Sequence, residues 1–299
     1  MSRDGFYSML LREQGVVIGV VRTSDTCRKA QDVHDLSSTA CIALGRLLTA
    51  TALVSYAQKR RGQLSFQLVG KGQLRQVFAD MTDAGALRGY VKNPHVGLPL
   101  APGENPRSRI RIGHALGEGS CSMIREPERG EFVQSATELK TGEIDEDVES
   151  SVGMSEQIVT SLTCDVLLDD ALDIRHAGGL IIQPLPHGDV ATLEAIAARV
   201  RNGGFAKLLD AHEGDVLAVV KELAPDAESI ESEQTVEWKC RCSEERVRSA
   251  LHMLTPHDLS EMIGENEPAK VTCDFCNTVY LVNVEALRNV HDTLIATRN

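Results

Sequence analysis

Cys240-Arg241-Cys242, followed after thirty residues by Cys273-Asp274-Phe275-Cys276, is the stretch that decides how the C-terminal part of this chain folds. Two close cysteine pairs separated by a moderate loop are what a four-thiolate metal site requires. Each pair supplies two ligands from one turn, and the chain between them folds back to bring the pairs together. Four thiolates suit tetrahedral Zn²⁺ better than magnesium or calcium, which take oxygen ligands. Four unrelated thiols, or two disulfides in a secreted domain, compete with that reading. The usual zinc spacing places two residues inside each pair, and here the first arm has only one. His252 and His257 lie between the pairs and are alternative ligands, although four thiols already complete a set.

The segment from Trp238 to Asn299 has about 60 residues, a size at which an apolar core alone leaves a domain marginal. Structural zinc contributes roughly 10–16 kcal/mol in small modules, comparable to the ~5–15 kcal/mol stability of a whole domain. The segment is therefore expected to be folded with zinc and largely unfolded without it. Within it, Ser243 caps a helix through Leu254. Thr255-Pro256-His257-Asp258 opens a second helix with proline in the first turn, and Gly264 stops it. Lys270 to Val282 reads as a hairpin with Cys273 and Cys276 at its tip, and Asn283 caps a last helix. A disulfide across C-x-C closes a small, strained ring, the labile kind. Lys239, Arg241 and Lys270 favour thiolate character once metal has gone, so the ligand set doubles as an oxidation switch.

Upstream, Gly15 to Val21 is a β-branched apolar run and reads as a buried strand. Helices follow at Ser24–Val33 and Ser37–Gln58, the second crowded with alanine and glycine and suited to close packing against a sheet. Gln63–Val69, Gln73–Asp80 and Ala86–Lys92, separated by glycine turns, form an antiparallel meander. Proline and glycine make residues 93–106 a loop. Further β pattern runs over Arg109–Leu116, Cys121–Ile124 and Glu131–Leu139. A helix follows at Gly142–Gln157, then a hairpin of Ile158–Leu168 with Leu172–Gln183. Asp189–Val200, Phe205–Leu209 and Val216–Leu223 carry an amphipathic helical pattern. Residues 224–237 hold five acidic side chains and no lysine or arginine, as a solvated connector does. The expected fold class is α+β. An N-terminal domain of antiparallel sheet plus helices covers 1–186, a helical and acidic linker 187–237, and a four-cysteine zinc domain 238–299.

Several function classes are disfavoured. A net charge of −12 and 4% aromatic residues argue against phosphate-backbone binding and base stacking. No GxxxxGK[ST] motif is present, so ATP use is not indicated. The chain shows no signal-like apolar start and no run long enough for a membrane span, which makes the cytoplasm the expected compartment. In that reducing setting eight cysteines do not read as a disulfide framework. Cys27, Cys41, Cys121 and Cys164 stand among apolar neighbours and read as core. No catalytic triad spacing presents itself. A thioredoxin-like use of Cys273 and Cys276 needs a βαβ setting, where the pattern here gives a hairpin.

Trp238-Lys239-Cys240-Arg241-Cys242 with Cys273-Asp274-Phe275-Cys276 resembles the redox-regulated bacterial chaperone family of heat-shock protein 33, the 33 kDa chaperonins. Ala43-Leu44-Gly45-Arg46, Leu87-Arg88-Gly89-Tyr90, Ser155-Glu156-Gln157 and Ala177-Gly178-Gly179-Leu180-Ile181-Ile182-Gln183 resemble that family too, in the same order, so the likeness spans the chain. Glu131-Phe132-Val133-Gln134-Ser135-Ala136 departs from the family's Tyr-Gln-Gly pattern, which bears on local strand detail. The resemblance implies a non-enzymatic, ATP-independent holdase of the oxidative stress response. Cys240, Cys242, Cys273 and Cys276 hold one Zn²⁺ in the reduced, inactive state. Oxidation releases it, pairs Cys240 with Cys242 and Cys273 with Cys276, and unfolds the zinc domain and linker. The active form, a homodimer, then binds unfolding client proteins. Leu193, Ile196, Val200, Phe205, Leu208, Leu209, Val216, Val219, Val220 and Leu223 form an apolar stripe that such clients could occupy if residues 238–299 cover it at rest. A zinc-ribbon nucleic-acid binder and a thiol-disulfide oxidoreductase are the rival readings.

Overall fold

The structure, a computed structural model of the chain, describes residues 3–58, 61–97, 105–230 and 233–298. Residues 98–104 of the expected loop, and Glu231 of the acidic connector, lie outside the described residues. The chain forms two compact units, Met1–Lys239 and Cys240–Asn299.

The first unit opens with β1 (Gly5–Leu11), β2 (Val16–Arg22), α1 (Ser24–His34) and α2 (Ser38–Ala57). The meander β3 (Gly62–Gly70), β4 (Gln76–Thr82) and β5 (Ala86–Val91) follows, then a short α3 (Gly113–Leu116), β6 (Gly119–Pro127) and β7 (Val133–Glu138). After α4 (Ile144–Glu156) come the hairpin β8 (Ser161–Leu168) and β9 (Ile174–Pro184), and the helices α5 (Val190–Val200), α6 (Gly204–Ala211) and α7 (Val216–Leu223). Three two-residue strands, β10 (Glu228–Ser229), β11 (Gln234–Thr235) and β12 (Glu237–Trp238), end the unit.

Two sheets result. One runs β10-β1-β2-β9-β8, with β11 also on β1; the other runs β12-β5-β4-β3-β6-β7. Helix α2 packs on strands of both. A helix apolar around its whole circumference belongs inside a core, and α2 buries Ala43, Leu44, Leu47, Leu48 and Leu53 completely. Its length and mean hydropathy of 1.5 would also pass for a membrane span, but 89% of that window is buried in this unit. Gly45 allows the close approach: a Cβ there would stand 2.7 Å from Val166 of β8. On the far face of the first sheet, α5–α7 lie against Val16, Ile18, Val20, Leu180 and Ile182.

The sequence reading needs four amendments. β1 was not anticipated, because its paired face makes sense only beside β2. Arg109–Leu116 is not a strand. The amides of Ile112 and Gly113 donate to the Glu143 carboxylate at 2.8 Å each, so a side chain replaces the strand partner. The acidic connector is hydrogen-bonded into both sheets, through β10 and β11 on β1 and β12 on β5. Finally, the stripe of Leu193, Ile196, Val200, Phe205, Leu209, Val216, Val219, Val220 and Leu223, with Leu208 partly buried beside it, is covered by the first sheet, within residues 1–239. The expected cover from residues 238–299 is not needed to bury it.

The second unit comprises α8 (Glu244–Leu251), α9 (Pro256–Gly264), β13 (Ala269–Thr272), β14 (Val279–Val282) and α10 (Val284–Arg298). Ser243 accepts from the Arg246 amide at the start of α8. Thr255 and Asp258 form a reciprocal capping box on α9, with Pro256 in its first turn. Asn283 caps α10 by accepting from the Ala286 amide at 2.8 Å. The helices and hairpin share a core built on Val247, Leu251, Leu259, Val282, Leu287 and Val290.

Candidate metal centre

β13 and β14 pair from Ala269↔Val282 to Thr272↔Val279, which leaves Cys273 to Thr278 as the hairpin tip. The Cys273 amide donates to the Thr278 carbonyl at 3.0 Å, and the Cys273 carbonyl accepts from Cys276 and Asn277. Asn277 turns the chain with φ 56°, a left-handed conformation that asparagine tolerates better than most residues. This tight knuckle aims Cys273 and Cys276 to one side. Cys240 and Cys242 lie just ahead of α8, with one residue between them, and their sulfurs meet those of the hairpin tip.

The four sulfurs all lie within 4.8 Å of one another, and each cysteine is half-buried. Cys240 Sγ is 3.7 Å from Cys273 Sγ, and Cys242 Sγ is 3.4 Å from Cys276 Sγ. A tetrahedron with zinc–sulfur bonds of 2.3 Å has sulfur–sulfur edges of about 3.8 Å. The donor set thus fits a soft, four-coordinate ion. The residues that sequence placed together are together, and His252 and His257 are not among the clustered ligands; His257 instead stands 3.5 Å from Glu261.

Two residues near the sulfurs carried no sequence signal of their own. Tyr280 donates its hydroxyl to Cys242 Sγ at 3.0 Å, and Thr278 Oγ1 lies 3.2 Å from Cys276 Sγ. Hydrogen bonds to ligand sulfurs hold them in place and temper their charge. Alternation along β14 puts Thr278 and Tyr280 on one face, the pattern that could have flagged them. Burial pushes Cys276 upward, but bonds from Thr278 and from the Cys242 and Cys240 thiols bring it down to about 7. Burial lifts Cys273 to about 12, with Cys276 and Cys240 adding to the rise. A bound cation would draw the protons from these sulfurs.

The other cysteines present the opposite surroundings. Cys27, Cys41, Cys121 and Cys164 are fully buried, as expected for core residues. Burial pushes the Cys27 and Cys121 thiols up to about 12 and raises those of Cys41 and Cys164 as well.

Sequence reasoning also missed a buried ionic cluster in the first unit. Arg46, wholly buried on α2, pairs with Glu143 at 2.8 Å and donates to the Ile110 carbonyl at 2.7 Å. Arg109 bridges Asp145 at 2.8 Å and Asp165 at 2.9 Å. The cluster fastens the irregular 105–112 segment to α2, α4 and β8.

A family model described as Hsp33 protein matches residues 4–283. A 33 kDa chaperonin of Acaryochloris marina is 36% identical over 284 residues, covering 93% of this chain and 92% of its own. A 33 kDa chaperonin of Synechococcus sp. is 32% identical over 287 residues, covering 92% of this chain and 85% of its own. The crystal structure of the 33 kDa chaperonin (heat shock protein 33 homolog) of Thermotoga maritima superimposes with a TM-score of 0.83 at 27% identity, over 99% of this chain and 100% of that one. The α+β fold is common ground with that protein, and the family is named as a chaperonin, not as an enzyme. By this likeness across nearly its whole length, the chain belongs to the Hsp33 family.

Proposed function

We propose that this protein is a redox-regulated, ATP-independent holdase of the cytoplasm. Its four-cysteine group holds one Zn²⁺ in the reduced, inactive state. The observation that carries the reading is the sulfur cluster, at zinc-like spacing, in a unit whose core is built on six buried apolar side chains. Such a unit depends on its metal for folding. Cys240, Cys242, Cys273 and Cys276 bind the ion as thiolates, and Tyr280 and Thr278 orient two of them. Zinc supplies cross-linking and charge neutralisation, not catalysis.

Oxidation undoes the site. A thiolate of one pair attacks hydrogen peroxide, forming a sulfenic acid and releasing hydroxide. The second sulfur of that pair then displaces the sulfenic oxygen as hydroxide, which takes up a proton to leave as water, and closes the disulfide. Each pair of thiolates gives up two electrons as its disulfide forms and each peroxide accepts two, so two peroxides convert the four thiolates. The pairing proposed is Cys240 with Cys242 and Cys273 with Cys276. With its ligands consumed the zinc leaves, the second unit unfolds, and the oxidised chain, as a homodimer, binds unfolding clients. The stripe of Leu193, Ile196, Val200, Phe205, Leu208, Leu209, Val219 and Leu223 would serve them once α5–α7 part from the sheet.

The test follows zinc release with a chromogenic chelator during peroxide addition, with light scattering from a heat-aggregating client recorded in parallel. Suppression of scattering only after zinc loss is the expected result. Suppression by the reduced protein, or none after oxidation, overturns the proposal. Equal hydrogen-exchange protection of residues 189–223 in both states would remove the helical stripe as a client surface.

A further inference from the structure

β1 reads Gly5-Phe6-Tyr7-Ser8-Met9-Leu10-Leu11: seven residues, none charged, rich in good strand formers. Along one side it pairs with β2 over its full length, Gly5↔Arg22 to Leu11↔Val16. Among the described residues, its other edge is paired by two short strands. Met9 and Leu10 face Ser229 and Glu228, and Gly5 and Phe6 face Thr235 and Gln234. The Ile230 amide donates to the Ser8 carbonyl at 3.0 Å, and the Tyr56 hydroxyl donates to the Thr235 carbonyl.

A strong edge strand is thus paired by a weak partner. β10 and β11 are two residues each, and their surroundings carry Glu228, Glu233 and Glu237, poor strand formers. The apolar anchors of this segment are Ile230, 38% exposed, and Val236, which is buried. Beside the edge, the side chains of Phe6, Ser8 and Leu10 share one face and, with Tyr56, Ile158 and Ile230, line a cavity of about 250 Å³. Gly19 keeps that face shallow, since a Cβ there would stand 2.8 Å from the Phe6 ring.

Building on the holdase reading, we infer that the outer edge of β1 is the docking site for an extended apolar segment of an unfolding protein. The segment adds antiparallel, in the place and direction that β10 and β11 now occupy. The chain's own strand is the template for this occupant: its backbone supplies the pairing, and Ile230 marks where an alternate apolar side chain enters the cavity. Main-chain pairing does not read sequence, and a pocket for alternate apolar side chains asks only for hydrophobicity. Together they fit a partner class defined by being unfolded. An uncharged, twisted edge left open is a pairing hazard, so the acidic segment both guards it and, when displaced, delivers it.

The experiment is hydrogen exchange on the full-length wild-type protein, reduced, oxidised with peroxide, and oxidised with a thermally unfolded client, after isolating the co-eluting complex. The expected result is faster exchange over residues 5–11 on oxidation and renewed protection in the complex. Leu10→Pro, which removes one outward amide at a position an edge strand tolerates, should weaken client capture roughly tenfold, the loss of about one hydrogen bond. Its zinc content when reduced should not change. Co-elution with residues 5–11 still exchanging freely overturns the edge site and leaves the holdase reading standing. Equal protection of residues 5–11 in the client-free oxidised protein means a second copy takes the edge, which also overturns it. Absence of any co-eluting client refutes the holdase reading, and the edge site with it.

Discussion

Residues 1–239 bury a predominantly apolar helix, α2, between two sheets, whereas residues 240–299 build their core on six buried apolar side chains. Each unit contains four cysteines. In the first they are filler, wholly buried and with thiols pushed upward; in the second they are half-buried and gathered within 4.8 Å. The same residue type packs as core in one unit and is grouped as a set that could hold a metal ion in the other. Spacing and exposure set the difference, because the second unit gathers its half-buried sulfurs at metal-binding distance while the first encloses each of its four in the core.

Removing one ligand attacks the comparison where it is strongest. Cys273→Ser should abolish stable metal binding, with most of the ~10 kcal/mol or more that a structural zinc contributes. Exchange over residues 243–298 should become complete within the shortest labelling time, while α2 stays protected. Persistent protection of α8–α10 in the variant would show that the small core holds by itself.

The converse change belongs in the first unit. Arg46→Met leaves Glu143 buried without its partner and should cost roughly 3–5 kcal/mol. Urea titration by far-UV circular dichroism measures it, and zinc content should stay at one per chain. A loss below 1 kcal/mol would mean that Arg109 alone holds the cluster.

A smaller effect depends on pH. Burial pushes the Asp165 carboxyl up to about 6, against the pull of Arg109 and Arg46, with Asp145 adding to the rise. A folded value above the unfolded one means the folded unit binds the proton more tightly. This group therefore favours folding progressively as pH falls through 6 towards 4, and opposes it above 6. Against Asp165→Asn, which cannot titrate, wild type should gain about 1 kcal/mol between pH 7 and pH 5. A difference that is flat with pH would remove Asp165 as the titrating group.

The smallest effect tests local structure within the second unit. Thr255→Ala removes the side-chain half of the α9 capping box and should cost about 1 kcal/mol. It should appear as faster exchange in α9 of the zinc-loaded protein, with no change in the first unit.

Much of this molecule was legible beforehand. The knuckle at Cys273–Cys276, the caps at Ser243, Thr255 and Asn283, and the hairpin β8–β9 follow from local rules: turn chemistry, capping and period-two alternation. The buried state of α2 follows from its composition. What failed to read locally was whatever depends on partners distant in the chain. Residues 109–116 carry a strand's pattern, yet the amides of Ile112 and Gly113 are satisfied by Glu143, about thirty positions away. Residues 228–238 carry the composition of a solvated connector, yet pair with β1 and β5.

The sequence by itself determined the four-cysteine group, the class of ion it suits and the α+β character, because thiol chemistry, hydrophobic period and caps are properties of neighbouring residues. Only the tertiary structure decided what covers what. It set the amphipathic stripe of α5–α7 against the first sheet, surrounded Arg46 with carboxylates from two other elements, and laid an acidic segment along the edge of β1. Those pairings join residues tens to hundreds of positions apart, and they form because a buried donor, charge or apolar face must find a partner somewhere in the folded chain.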